Sequence, residues 1–83
     1  MLASEVEALL VSRAPEIQFR VQGEGRNFQI EAVANTFDGL SRVKRQQAVY
    51  KLIADEIAGG QLHAITITAL TPAEQSARAG LGL

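Results

Sequence analysis

The stretch Phe37-Asp38-Gly39-Leu40-Ser41-Arg42-Val43-Lys44-Arg45-Gln46-Gln47-Ala48-Val49-Tyr50 brings a turn, a helix cap and the longest helical pattern of the chain together. Asp38-Gly39 is a turn signal, and Ser41 is a favourable N-cap. Apolar residues then recur at Val43, Val49, Leu52, Ile53 and Ile57 with a period near 3.6 residues, which predicts a helix of about four turns from Arg42. Its first turn is cationic. Arg42, Lys44 and Arg45 stand where the helix dipole already places positive partial charge, at a cost of a few tenths of a kcal/mol.

Upstream, Ser4 is a candidate N-cap with Glu5 and Glu7 in the first turn. Val6, Leu9 and Leu10 have helical spacing and Pro15 stops continuation, so a short helix is expected from Glu5 to Arg13. Ile17 to Gln22 then alternates strictly, with Ile17, Phe19 and Val21 on one face. Gly23-Glu24-Gly25-Arg26 reverses the chain, and Phe28 to Ala34 alternates again, giving a β-hairpin whose Phe28, Ile30 and Ala32 face the core.

Downstream, Gly59-Gly60 closes the long helix as a C-cap does. Ala64 to Leu70 is a third, β-branched strand that Pro72 ends. Ala73 to Leu83 mixes small residues with glycines; it is expected to hold one helical turn at most and to be a partly mobile tail. The order helix, strand, strand, helix, strand predicts a right-handed crossover that sets the third strand parallel to the second. The fold class is therefore α+β: a two-layer sandwich over residues 1–83, with a three-stranded mixed sheet and the helices on its apolar face. The second strand is expected in the middle, with Phe28, Ile30 and Ala32 meeting Val49, Ile53 and Ile57.

Composition narrows the function. At 83 residues, 47% hydrophobic and 20% charged, the chain forms one small domain and not a disordered segment. A net charge of −1 supplies no global attraction for nucleic acid or anionic lipid. With no cysteine, disulfides, thiolate metal sites and a thiol nucleophile are excluded. No run approaches the ~18 apolar residues of a membrane span, and the first residues lack a signal-peptide pattern, so a cytoplasmic protein is the expectation. No nucleophile, base and orienting group can be assembled, which argues against an enzyme.

Two features remain as candidate sites besides the Gly23-Glu24-Gly25 loop. That loop joins two strands and does not open a helix, so it reads as a hairpin turn and not as a phosphate cradle. The basic turn Arg42, Lys44, Arg45 reads either as solvated charge or as a surface for an acidic partner or for nucleic acid. His63, the single histidine, stands immediately before the third strand. Its imidazole suits iron, zinc or copper, yet one histidine cannot close a metal site.

The stretch Phe37-Asp38-Gly39-Leu40-Ser41-Arg42-Val43-Lys44-Arg45-Gln46-Gln47, followed by Leu62-His63-Ala64 and Thr71-Pro72, resembles the BolA family and within it the short bacterial branch. The resemblance runs from the first helix to Thr71-Pro72-Ala73-Glu74 and implies a KH-like (type II-like) αββαβ fold. It also implies a partner. BolA-like proteins pair with monothiol glutaredoxins and share a [2Fe-2S] cluster held by the glutaredoxin cysteine, glutathione and the BolA side. No cofactor is expected in the isolated protein, which should be a monomer or weak homodimer.

The family's C-terminal histidine ligand maps onto His63, whose imidazole in place of a thiolate should raise the cluster's potential, as in Rieske centres. The family usually offers a second His or Cys in the loop between the first two strands. Here that place holds Gly25-Arg26-Asn27, and Asn27 is a poor iron ligand. Arg26 is expected instead to pair with a glutathione carboxylate. The competing function is that of a DNA-binding transcriptional regulator reading DNA with Arg42, Lys44 and Arg45. The net charge and the absence of a Gly-x-x-Gly clamp leave such binding weak and salt-dependent.

Overall fold

The computed structural model describes residues 1–80. In chain order it contains α1 (Ala3–Arg13), β1 (Gln18–Glu24), β2 (Asn27–Val33), a short 3-10 turn (Asn35–Phe37), α2 (Arg42–Leu52), α3 (Ala54–Ala58), β3 (Ala64–Leu70) and α4 (Pro72–Gly80). The sheet order is β1-β2-β3, antiparallel then parallel. Phe19, Val21, Phe28, Ile30, Ala32, Ile65, Ile67 and Ala69 share one face by register, and that face meets Val6, Leu10, Val49, Ile53 and Leu62 in a single core. The mixed sheet, its central β2 and the hairpin are those expected from the alternation.

Three expectations need correction. First, α1 begins at Ala3 with Leu2 as its N-cap, not at Glu5 behind Ser4. Leu2 N–H donates to Glu5 Oε1 at 2.7 Å while Glu5 N–H donates to Leu2 O at 3.0 Å. The Glu5 carboxylate thus satisfies an N-terminal donor from inside the helix, a role that leaves Ser4 unused.

Second, the long helix is broken at Ile53, which has φ −123° and ψ 18°. The break frees the Leu52 carbonyl, and Arg13 Nη1 donates to it at 2.5 Å. The same guanidinium forks onto Glu56 at 2.7 and 3.0 Å. One arginine at the end of α1 thereby fills the gap between α2 and α3, which apolar spacing could not announce. Ile57, expected in the core, is half-buried beside it.

Third, Pro72 begins a nine-residue helix and not a single turn. Thr71 Oγ1 accepts from Glu74 N–H at 3.2 Å, and Thr71 N–H donates to Glu74 Oε1 at 2.8 Å, a capping box with proline at the first helical position. Gln75 Nε2 donates to Glu31 Oε1 at 3.1 Å, so α4 lies against the end of the other sheet face, where Val33 is buried, and not with the helices on the apolar face as expected. The end of the expected mobile tail, 81–83, lies outside the described residues.

Both edges of the sheet are blunted by helix side chains. Glu7 Oε1 on α1 accepts from Val21 N–H of β1 at 3.0 Å. On β3, Ala64 N–H and Leu70 O bond toward β2, so Ile65, Ile67 and Ala69 turn their backbone groups outward. Gln46 Nε2 caps Ile67 O at 3.2 Å, and Arg45 Nη1 caps Ala69 O at 3.2 Å. A three-stranded sheet with open edges invites pairing with other chains, and these bonds oppose it.

Candidate functional site

The helix pair ends on a built stop. Gly60, at φ +82°, donates to Ile57 O at 3.1 Å while Gln61 N–H donates to Glu56 O at 3.0 Å, the two bonds of a Schellman motif. Leu62, 1% exposed, then anchors the chain in the core. The next residue is His63, exposed, with its backbone N–H donating to Arg26 O at 2.7 Å; Ala64 N–H shares that acceptor at 3.2 Å. His63 is therefore pinned by its backbone beside the β1-β2 turn, between a buried leucine and the first residue of β3, while its imidazole stays in solvent.

That turn is the two-residue connection Gly25-Arg26 between the paired Glu24 and Asn27. Gly25 has φ +67° and Arg26 does not have positive φ, the pattern of a type II′ hairpin. Asn27 pairs with Ala64 in the β2-β3 register, so the structure brings Arg26, Asn27 and His63 to one end of the sheet. The Arg26 side chain is exposed and has no hydrogen-bond partner among the described residues. No group of three or more His, Cys, Asp or Glu side chains suited to a metal ion occurs among the described residues. The exposed His63 imidazole fits one corner of a metal or cluster site.

The basic turn does not act as a unit. Arg45 Nε donates to Leu40 O at 3.0 Å, and its Nη atoms reach Ala69 O and both oxygens of Glu74, at 2.6 and 3.3 Å. Its side chain keeps only 13% of its exposure, so Arg45 ties the start of α2 to β3 and α4. Arg42 and Lys44 remain exposed. Arg45, Gln46, Arg13 and Glu7 all hold backbone groups, and spacing along the chain revealed none of these roles. The Thr71-x-x-Glu74 capping box alone was visible in the sequence.

Glu74 also carries the clearest pH signature. The Arg45 guanidinium, then the Thr71 N–H, lower its pKa from 4.5 to about 2. A lowered folded-state value means that the ionised form stabilises the fold. The contribution is full above about pH 4.5 and fades as the pH falls toward 2. The carboxyl carbon of Glu74 should titrate near pH 2 in an NMR series, and Arg45→Gln should return it toward the ordinary range. An ordinary titration in the unaltered protein would show that the fork does not persist in solution. Because Glu74 is 45% exposed, added salt should weaken the effect.

An apolar groove of about 660 Å³ runs beside α2, lined by Val43, Tyr50, Ile65 and Ile67 with Lys51 at its rim. Val43 is 64% exposed and Tyr50 46%, large apolar surface that a monomer gains nothing by presenting. Ile65 places one end of the groove two residues from His63.

This is an α+β domain with one backbone-pinned histidine at a sheet end, and its class is BolA-like. The family model for BolA-like proteins matches residues 3–74, and the chain belongs to that family. Acid stress protein IbaG of Escherichia coli (strain K12) is 42% identical over 71 residues, 86% of this chain and 84% of that one. The BolA domain of SufE1 from Arabidopsis thaliana has a TM-score of 0.72 at 30% identity, covering 87% of this chain and 93% of the domain. Yeast Fra2 has a TM-score of 0.74 at 26% identity, covering 92% of this chain and 85% of its own. Among the described residues no helix is long and apolar enough to cross a membrane.

Proposed function

We propose that this protein is a non-catalytic partner of a monothiol glutaredoxin and that the two share a [2Fe-2S] cluster in iron-sulfur trafficking or in iron and redox regulation. The observation that carries the reading is His63: an exposed imidazole whose backbone is fixed by Arg26 O at a sheet end where, among the described residues, no group of three or more ligating side chains occurs. Such a half-site needs a partner to complete it. The groove along α2, ending at Ile65, offers that partner apolar surface next to the histidine. Arg26 stands free to meet a carboxylate such as that of glutathione. When bound, the cluster would supply electron transfer or transferable iron and sulfide; this chain's part is to hold one imidazole in place and to orient the partner.

His63→Ala tests the assignment. The free domain should keep its fold, because the His63 contact that the structure uses is made by the backbone. The visible absorption and circular dichroism of the complex with a glutaredoxin should change, while apo heterodimer formation survives. Unchanged cluster spectra would remove His63 as a ligand. Asn27→Ala should leave them as they are, and Asn27→His should tighten cluster retention by adding a second donor at the same sheet end.

DNA binding by α2, the competing expectation, gains nothing from the geometry. Arg45 is held by Glu74 and two carbonyls, so the cations free for phosphates there are fewer than the sequence suggests.

A further inference from the structure

At the opposite end of β3 from His63 lies a cleft of about 530 Å³ between the start of α2, the second half of β3 and α4. Its hydrogen-bonding groups are lopsided. The Glu74 carboxylate and three backbone carbonyls there are already engaged: Leu40 O, Ala69 O and Glu74 by Arg45, and Ile67 O by Gln46. The donors are not. Arg42 and Arg78 line the cleft, are exposed, and have no hydrogen-bond partner among the described residues. The N–H groups of Ile67 and Ala69 point away from β2 by strand alternation and have no backbone partner outside the sheet. Three arginines against one glutamate leave a net charge of +2 around the cleft.

We propose that this cleft binds a phosphate dianion, free or as a monoester, with Arg42 and Arg78 as the two clamping guanidiniums and Arg45 as a fixed positive floor. A carboxylate carries half the charge and two acceptor oxygens. A phosphate monoester carries about −1.5 to −2 and three acceptor oxygens, which matches the charge and the fork geometry of two arginines better. Arg45 is not the recruiting group, since four of its five N–H donors are taken by Leu40, Ala69 and Glu74. Its function in the site is to hold α4, which carries Arg78, against the cleft that Arg42 also lines. The site is independent of the cluster reading, because His63 stands before the other end of the strand.

The test is an amide-resolved NMR titration with inorganic phosphate at about pH 7.5, where the dianion dominates, against sodium chloride at equal ionic strength. Saturable shifts are expected at Arg42, Ile67, Ala69 and Arg78 with phosphate and not with chloride. Arg42→Gln and Arg78→Gln should each weaken binding about tenfold, the effect of losing one charge-assisted contact, while Lys44→Gln and His63→Ala leave it unchanged. Adenosine monophosphate in a parallel arm separates the sources. Tighter binding than inorganic phosphate, at the same amides, indicates a phosphorylated small molecule, and equal binding indicates free phosphate. The proposal is overturned if the shifts follow ionic strength alone, if they spread equally to Lys44 and Lys51, or if both arginine variants titrate like the unaltered protein. The wild-type shift pattern decides this even if Arg78→Gln loosens α4.

Discussion

Ile53→Ala should destabilise the protein by about 2 to 5 kcal/mol, a large share of the 5 to 15 kcal/mol that a domain of this size has. Ile53 is fully buried and belongs to the same cluster as Val49, Phe28 and Ile30. It is also the residue at which α2 stops and α3 starts, with Ile53 N–H donating to Tyr50 O and Ile53 O accepting from Ile57 N–H, both at 3.1 Å. Removing the side chain leaves a cavity at the joint between two short helices, neither of which holds itself together in isolation. A urea titration should show a lower midpoint with an unchanged slope. Ile53→Val, which removes one methyl group and keeps the branched shape, should cost about 0.5 to 1.5 kcal/mol. A loss below about 0.5 kcal/mol for the alanine variant would mean that the joint collapses onto the cavity and that Ile53 is not a core residue.

Ile53 also shows where the sequence stops being legible. Its burial follows from the apolar period of Val49, Ile53 and Ile57, which reads the same whether one helix or two carry it. The break depends on Arg13, 39 positions earlier, which accommodates the free Leu52 carbonyl. No local pattern contains that information. The hairpin was legible because period-two alternation and paired glycines act within a few residues. Ser41 was legible for the same reason, and its Oγ accepts from Lys44 N–H at 3.2 Å.

The helix α4 is a different case, since its signal is local. Thr71-Pro72-Ala73-Glu74 combines an N-cap, a proline suited to the first helical position and the reciprocal glutamate, but Pro72 read more readily as the end of β3. The cationic first turn of α2, unfavourable by the dipole argument alone, is offset in part by the same glutamate, which pairs with Arg45 while Arg42 and Lys44 stay exposed. For the site, the place of His63 before β3 was visible from the glycine pair and the strand pattern. Its attachment to Arg26 O was not, because that bond depends on the parallel register of β2 and β3.

Gly23→Ala should have the second large effect, about 2 to 4 kcal/mol, and it should reach the candidate site. Gly23 sits inside β1, opposite Phe28, with φ +131°, a conformation that L side chains rarely adopt. A Cβ there would collide with the backbone oxygen of Asn27 and approach Phe28 Cα to 2.9 Å, so backbone and not a flexible side chain must yield. Gly25 provides the contrast within the same hairpin. Its φ is +67°, yet a Cβ meets nothing within 4 Å, so Gly25→Ala should cost only the conformational strain of about 1 to 2 kcal/mol. The displaced strand end is the one that carries Arg26 O, the shared acceptor of His63 N–H and Ala64 N–H. Hydrogen exchange at His63 and Ala64 should therefore accelerate in the Gly23 variant beyond what its global stability predicts, and remain tied to global stability in the Gly25 variant. Equal costs for the two substitutions would mean that β1 accommodates the methyl group by twisting at its free edge, and the rigid link from hairpin to histidine would then be lost with it.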